Sequence, residues 1–235
     1  MDWWWADRML EDNPVALVSW VVVIIGSIVL HELAHGWVAT WLGDDTPRLS
    51  GHLTLNPLVH IPPMAWVLFI AFGFTWGLMP VNPARLRGRY AGALVAVAGP
   101  AMNLLIAGLA VLGMCLWMGF GQGHWTGGQP IEEPLFSNTA RFLLYGVMLN
   151  VILCVFNLLP VPPLDGWRIA SDLCPPFRRL FESERGAQIG LACFVLLFFF
   201  GARHVVGFGA GIAGAAIGIA LRITVPNADL STLTP

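Results

Sequence analysis

Charged residues are missing from long stretches of this 235-residue chain, and those gaps set its architecture. No Asp, Glu, Lys or Arg stands between Asp12 and Glu32, between Arg48 and Arg85, or between Arg89 and Glu132. The same holds between Arg141 and Asp165 and between Arg185 and Arg203, and beyond Arg203 only Arg222 intervenes before Asp229. A membrane-crossing helix needs about 20 mostly apolar residues. Segments 15–42, 92–119, 142–160, 186–202 and 206–223 are read as five such helices. A sixth apolar stretch, 64–80, is short, follows Pro62-Pro63, carries Gly73 and Gly77 and ends at Pro80. It reads as a segment that re-enters or stays inside the bundle. The pattern predicts an all-α polytopic membrane protein with a single membrane-embedded domain over 1–235. The core is expected at 15–170, with two additional C-terminal helices in 186–223.

Composition agrees. The chain is 57% hydrophobic and 11% charged, against about 25% charged in a soluble domain. That excludes a soluble globular protein and places the chain in a lipid bilayer. A net charge of −2 gives no basic field for nucleic acid. Trp3, Trp4 and Trp5 suit a membrane interface. The four cysteines form no C-x-x-C pair and read as small buried hydrophobes.

Most acidic residues sit in tails and polar loops, but Glu32 and Asp165 do not. An ionisable group inside a membrane helix costs about 2.5–3.5 kcal/mol, so it points to function. Glu32 lies within His31-Glu32-Leu33-Ala34-His35. Positions i and i+4 share a helix face, so His31 and His35 can hold one metal ion, with Glu32 beside its bound water. The bland reading is a polar cluster within the bundle. A catalytic zinc takes three protein ligands, and Asp165 is the outstanding candidate for the third. It follows a run broken by Pro160, Pro162 and Pro163 and precedes Gly166. Alternatively, Asp165 caps the helix that follows.

Three motifs in this order carry a family resemblance: His31–His35, Gly99-Pro100-Ala101-Met102-Asn103, and the N-x-x-P-x-x-P-x-D-G segment from Asn157 to Gly166. The chain resembles the site-2 proteases, intramembrane zinc metalloproteases, and looks like a minimal member without PDZ or CBS domain. The resemblance implies one zinc ion (Zn2+) bound by His31, His35 and Asp165, with Glu32 as general base. It also implies hydrolysis of a peptide bond in the transmembrane helix of a protein substrate. Asn157 and Asn103 become candidates for holding substrate backbone or the oxyanion. The competing class is a transporter or ion-binding protein using the same cluster. Such proteins usually carry paired internal repeats, and none is visible.

The metal site adds a constraint that hydropathy lacks. His31 and His35 lie in the C-terminal half of the first helix, and Asp165 just beyond the end of 142–160. Both ends must share one side of the membrane, which requires that 64–80 fold back and leaves five crossings. Nine arginines then fall on the metal-site face and three on the other. That predicts a metal site toward the cytoplasm, an outside N-terminus and a plasma-membrane location. Leu53 and Leu55 alternate within the polar loop, which predicts a short β-like segment over 46–56 whose edge would pair with unwound substrate. His52 and His60, in the same region, read as solvated.

Overall fold

The computed structural model describes residues 5–12, 14–125, 133–181 and 183–224; Trp3 and Trp4 lie outside them. The described elements are helical, and none is a strand. Helices α1 (Trp5–Asp12), α2 (Pro14–Trp41), α3 (Thr46–Leu49), α4 (Pro57–His60) and α5 (Pro63–Phe72) form the first part. Helices α6 (Ala91–Trp125), α7 (Glu133–Asn157), α8 (Asp165–Leu173), α9 (Pro175–Phe181), α10 (Glu184–Leu196) and α11 (Ala202–Thr224) follow. Among the described residues, four helices are long and apolar enough to cross a membrane: Pro14–Trp41, Ala91–Gly119, Leu135–Asn157 and Glu184–Thr224.

Helices α6 and α7 pack through Ala107, Ala110 and Met114 on one side and Ala140, Val147 and Val151 on the other. Small residues let the helix backbones approach in the absence of a hydrophobic drive between them. Helix α11 joins this core through Ala213, Ile217 and Leu221, a four-residue spacing that keeps them on one face.

The expected pair of C-terminal helices is one helix. A π-helical turn, Leu197–Gly201, joins α10 to α11, and Glu184–Thr224 runs on for 41 residues. At 1.5 Å per residue that is about 60 Å, twice the thickness of a hydrocarbon core. The five expected segments are therefore carried on four helices. Arg203 and His204 looked like a loop by their polarity. Neither disfavours helical backbone as Pro does, and both sit on an exposed turn, with Arg203 Nε 3.3 Å from His204 Nε2.

The β-like segment at 46–56 is also absent. Pro47 opens the short helix α3. The next donors bond locally, Ser50 to Thr46, Gly51 to Arg48 and His52 to Pro47. Gly51 has φ +74°, and the Asn56 side chain caps α4 by accepting from Leu58 N–H. Leu53 lies against Gly36 while Leu55 is exposed. Their alternation reflects two different turns, and no free strand edge is offered to a substrate.

Segment 64–80 does fold back. Helix α5 has ten residues, about 15 Å, half of a crossing. It ends at Gly73, whose φ of +78° is the left-handed cap that glycine tolerates best. The chain then runs extended, and Leu78 N–H donates to His60 O at 2.8 Å. The residue that precedes α5 is thus beside one that follows it. Trp5 and Trp20 secure the turn, donating their indole N–H groups to Ile70 O at 3.2 Å and Gly73 O at 2.9 Å.

Asp44 locks the returning extended segment to the end of α2. It is fully buried, and its carboxylate accepts from the N–H and hydroxyl of Thr46 and from Asn82 N–H. Burial alone would raise its pKa, but these donors and the Arg85 charge outweigh it and hold the pKa below 3.8. A depressed carboxylate stabilises the fold above its unfolded pKa, and that contribution is lost as pH falls through the folded value. Asp44→Asn is expected to cost about 1–3 kcal/mol at pH 7. In detergent melts, the gap in Tm between variant and wild type should close as pH drops below 3.8.

Candidate metal centre

His31 and His35 project from one face of α2, their ring centroids 4.6 Å apart. Asp165 opens α8. Two contacts fix α8 against the other helices. Gly166 sits on the carbonyls of Leu158 and Leu159 at the end of α7, where any Cβ would collide. At the far end, Asp172 accepts from Ala93 N–H at 2.7 Å, capping the start of α6 from across the bundle. The result is one cluster of His31, His35 and Asp165, with ligand atoms all within 4.8 Å of one another. The Nε2 atoms are 3.0 Å apart, and the Asp165 oxygens lie 3.2 Å from His31 Nε2 and 3.4 Å from His35 Nε2.

The hydrogen bonds behind the rings determine what these atoms are. His35 Nδ1 lies 2.6 Å from Val95 O, a pure acceptor, so Nδ1 carries the proton. For His31 the proton position is set by contacts across three helices. Asn150 Nδ2 donates to Gly146 O at 2.9 Å and to Ser27 Oγ at 2.9 Å. Its Oδ1 therefore accepts from Asn103 Nδ2 at 3.0 Å. Asn103 is left with Oδ1 facing His31 Nδ1 at 2.6 Å, so that nitrogen also donates. Both Nε2 atoms are then bare lone pairs, turned toward a carboxylate. Asp165 Oδ2 is buried without a hydrogen-bond donor.

Three acceptors converging without a proton between them repel one another unless a cation sits among them. The ligand set suits zinc, whose nitrogen and oxygen bonds of about 2.0–2.2 Å make tetrahedral edges of about 3.3–3.5 Å. The observed separations are close to that figure. Gly99 of α6 lies directly against the cluster, and a Cβ there would fall on both Nε2 atoms. Glu32, adjacent in sequence to His31, is buried. Gly77, in the extended return after α5, packs on its carboxylate so closely that a Cβ would collide with Oε1.

The structure thus brings together His31, Glu32, His35 and Asp165. It gives Asn103 a different place from that expected of a substrate contact. Asn103 is fully buried, with its oxygen on His31 and its nitrogen on Asn150. Asn157 ends α7 and donates to Leu153 O at 3.1 Å; none of its hydrogen bonds reaches the cluster. Asn150, Val95 and Asp172 support the site and were not singled out for it in the sequence. Their roles depend on contacts between helices, which leave no local signal.

Two buried histidines in the apolar helix α2, a half-buried Asp165 at the start of α8 and a carboxylate one residue from the first histidine are the parts of a membrane metallopeptidase. The comparisons place it further. The family model described as Peptidase family M50 matches residues 126–201, which include Asp165. "Putative zinc metalloprotease YwhC" of Bacillus subtilis is 37% identical over 195 residues, 82% of this chain and 85% of the relative. "Putative zinc metalloprotease Rip2" of Mycolicibacterium smegmatis is 34% identical over 166 residues, 66% of this chain and 58% of the relative. Its Mycobacterium tuberculosis H37Rv namesake is 30% identical over 214 residues, 83% and 73% of the two chains. No solved structure matches. The chain belongs to peptidase family M50 and is a metalloendopeptidase.

Ring-orienting partners typically change metal affinity by about 10–100-fold. Asn103→Ala should therefore weaken zinc binding by about that factor in a competitive chelator titration. Gly99→Ala, which drives a methyl onto the Nε2 atoms, should abolish stoichiometric zinc by elemental analysis.

Proposed function

We propose that the protein hydrolyses a peptide bond within or near the transmembrane helix of a membrane-protein substrate. His31, His35 and Asp165 hold one zinc ion, and Glu32 is the general base. The observation that carries this reading is the convergence of His31 and His35 of the apolar helix α2 with Asp165 of α8, beside Glu32. His35 lies six residues before the end of α2, about 9 Å along the axis, and His31 one turn deeper. A substrate must bring its scissile bond to that depth.

A zinc ion bound there supplies an activated water and polarises the scissile carbonyl. Glu32 accepts a proton as the water oxygen adds to the carbonyl carbon, then returns it to the amide nitrogen as the C–N bond breaks. Asn103 and Val95 keep both imidazoles with Nδ1–H, so Nε2 stays available as a ligand. Gly77 and Gly99 bring backbone against Glu32 and the ligand rings, excluding bulk water on those sides. Asn157, at the end of α7, remains the candidate for substrate backbone or the oxyanion. An intact substrate helix hides its carbonyls in its own hydrogen bonds, so it must unwind locally before cleavage.

The residues over 1–235 are read as a single membrane-embedded domain. We assign the metal-site face to the cytoplasmic side of the plasma membrane; the eight arginines in 43–90 and 158–185 support that orientation, with Arg222 at the far end of the long C-terminal helix. Single cysteines replacing Asp45 and Arg87 should both react with a membrane-impermeant thiol reagent from the cytoplasmic face of inverted vesicles, and neither from outside.

The decisive experiment uses purified wild type and Glu32→Gln with a single-helix membrane reporter carrying terminal tags. The variant should retain one zinc per chain and lose about 10²–10⁴-fold in cleavage rate. Undiminished cleavage by Glu32→Gln would refute the assignment.

A further inference from the structure

Polar company makes His52 and His60 look solvated, yet His60 is among the most deeply buried side chains in the molecule, with no exposed surface. It ends α4, and its Nε2 lies 2.7 Å from the carbonyl oxygen of Thr54. A carbonyl only accepts, so Nε2 carries the proton and the neutral ring presents a bare lone pair on Nδ1. That Nδ1 is buried and has no hydrogen-bond partner among the described residues. Buried acceptors are nearly always satisfied, and an exception calls for an explanation. His52 carries a matching signature. The Ser50 hydroxyl donates to Thr46 O at 2.8 Å, so its oxygen is free to accept. His52 Nδ1 faces that oxygen at 3.0 Å and the Ser50 carbonyl oxygen at 3.1 Å. Two acceptors fix the proton on Nδ1 and leave the lone pair of His52 on Nε2.

The two rings meet at 80°, with centroids 6.2 Å apart. A metal-binding histidine anchors one ring N–H on a backbone carbonyl or similar acceptor and turns its other nitrogen to the ion. Both rings are anchored in that way, as His35 is on Val95 O in the first centre. Two imidazoles on one tetrahedral ion have ring centres about 5.3 Å apart. The His31–His35 pair, at 4.6 Å, is narrower than that figure and the His52–His60 pair wider, each by less than about 1 Å. His52 is partly exposed and follows the turn at Gly51, so the small closure falls to a side chain at the surface.

We infer that His52 and His60 form a second metal site, separate from His31, His35 and Asp165, which binds one divalent transition-metal ion through His52 Nε2 and His60 Nδ1. Water completes the coordination shell. No third His, Cys, Asp or Glu joins the pair in a cluster among the described residues. Imidazole ligands without a carboxylate select zinc, nickel or copper over calcium and magnesium. With two protein ligands against three, the site fills at higher metal concentration than the first. An ion there ties the exit of α3 to the end of α4. Near one end of that turn Leu53 packs against Gly36, the neighbour of His35. At the other, His60 O accepts from Leu78 N–H at 2.8 Å and holds the extended return after α5. Occupancy therefore stiffens the wall beside the first cluster without adding to its ligands.

The test uses full-length protein purified without a histidine tag, with zinc itself as the probe. At nanomolar free zinc, wild type and His52→Ala should each hold one ion per chain by elemental analysis. At micromolar free zinc, wild type should take up a second ion and His52→Ala should not. An ion that binds only the folded state stabilises it, so over the same range the Tm of wild type should rise and that of His52→Ala stay level. His60→Gln keeps an amide donor for Thr54 O and loses the acceptor, so it too should stop at one ion. If His60→Gln does not fold, His52→Ala decides alone, because its side chain is at the surface. The inference is overturned if wild type never exceeds one zinc per chain, or if His52→Ala takes up the second ion as readily as wild type. The double variant His31→Ala/His35→Ala should lose the ion held at nanomolar zinc and keep the one gained at micromolar zinc. A wild type empty at nanomolar zinc would count against the first centre and leave the comparison at micromolar zinc to decide the second.

Discussion

Mutual repulsion among three lone-pair acceptors is the constraint around which this protein is organised. Two imidazole nitrogens 3.0 Å apart and a carboxylate facing both would separate if side chains alone decided the matter. Each is held from behind. Asn103 and Val95 fix the rings, and Gly166 and Asp172 fix the helix that presents the acid. The chain of amides from Gly146 through Asn150 and Asn103 to His31 crosses α7, α6 and α2. Helix packing thereby sets the protonation pattern of a ring nitrogen. A cation relieves the repulsion, so metal binding and bundle assembly are thermodynamically linked.

The same constraint explains the fold-back after α5. Charge gaps alone allow 64–80 to cross the membrane or return. Bringing α8 to the end of α2 requires a return, and the ten-residue helix, the Gly73 cap and the Leu78–His60 bond are its local means. The extended limb also places the Gly77 backbone so close to Glu32 that any added side chain would displace the carboxylate. One segment thus satisfies topology and shapes the site.

Legibility in the sequence followed the cost of the residues involved. Apolar runs are long and their interruptions few, so α2, α6 and α7 were visible in outline. Glu32 and Asp165 stood out because ionisable groups are rare in such runs. Features set by context were not visible. Leu53 and Leu55 alternate as in a strand, but Pro47, Gly51 and Asn56 turn the chain locally instead. Arg203 and His204 look like a break, yet nothing in them opposes a helix. Asn103 belongs to a motif that suggested substrate contact, while its partners lie on two other helices. His60 sits in a polar stretch and is buried only because α4 and the returning limb close over it.

Asp165 also has a temporal consequence. The two histidines and the glutamate enter the membrane early in synthesis, while the acid that completes their cluster is translated more than half a chain later. At about 5–20 residues per second, that delay lasts on the order of ten seconds. Until α8 docks on the end of α7 and caps α6, the nascent protein holds an incomplete ligand set and no assembled hydrolytic centre. The order of residues along the chain therefore leaves the cluster open while the first three crossing helices insert, and closes it only when Asp165 arrives.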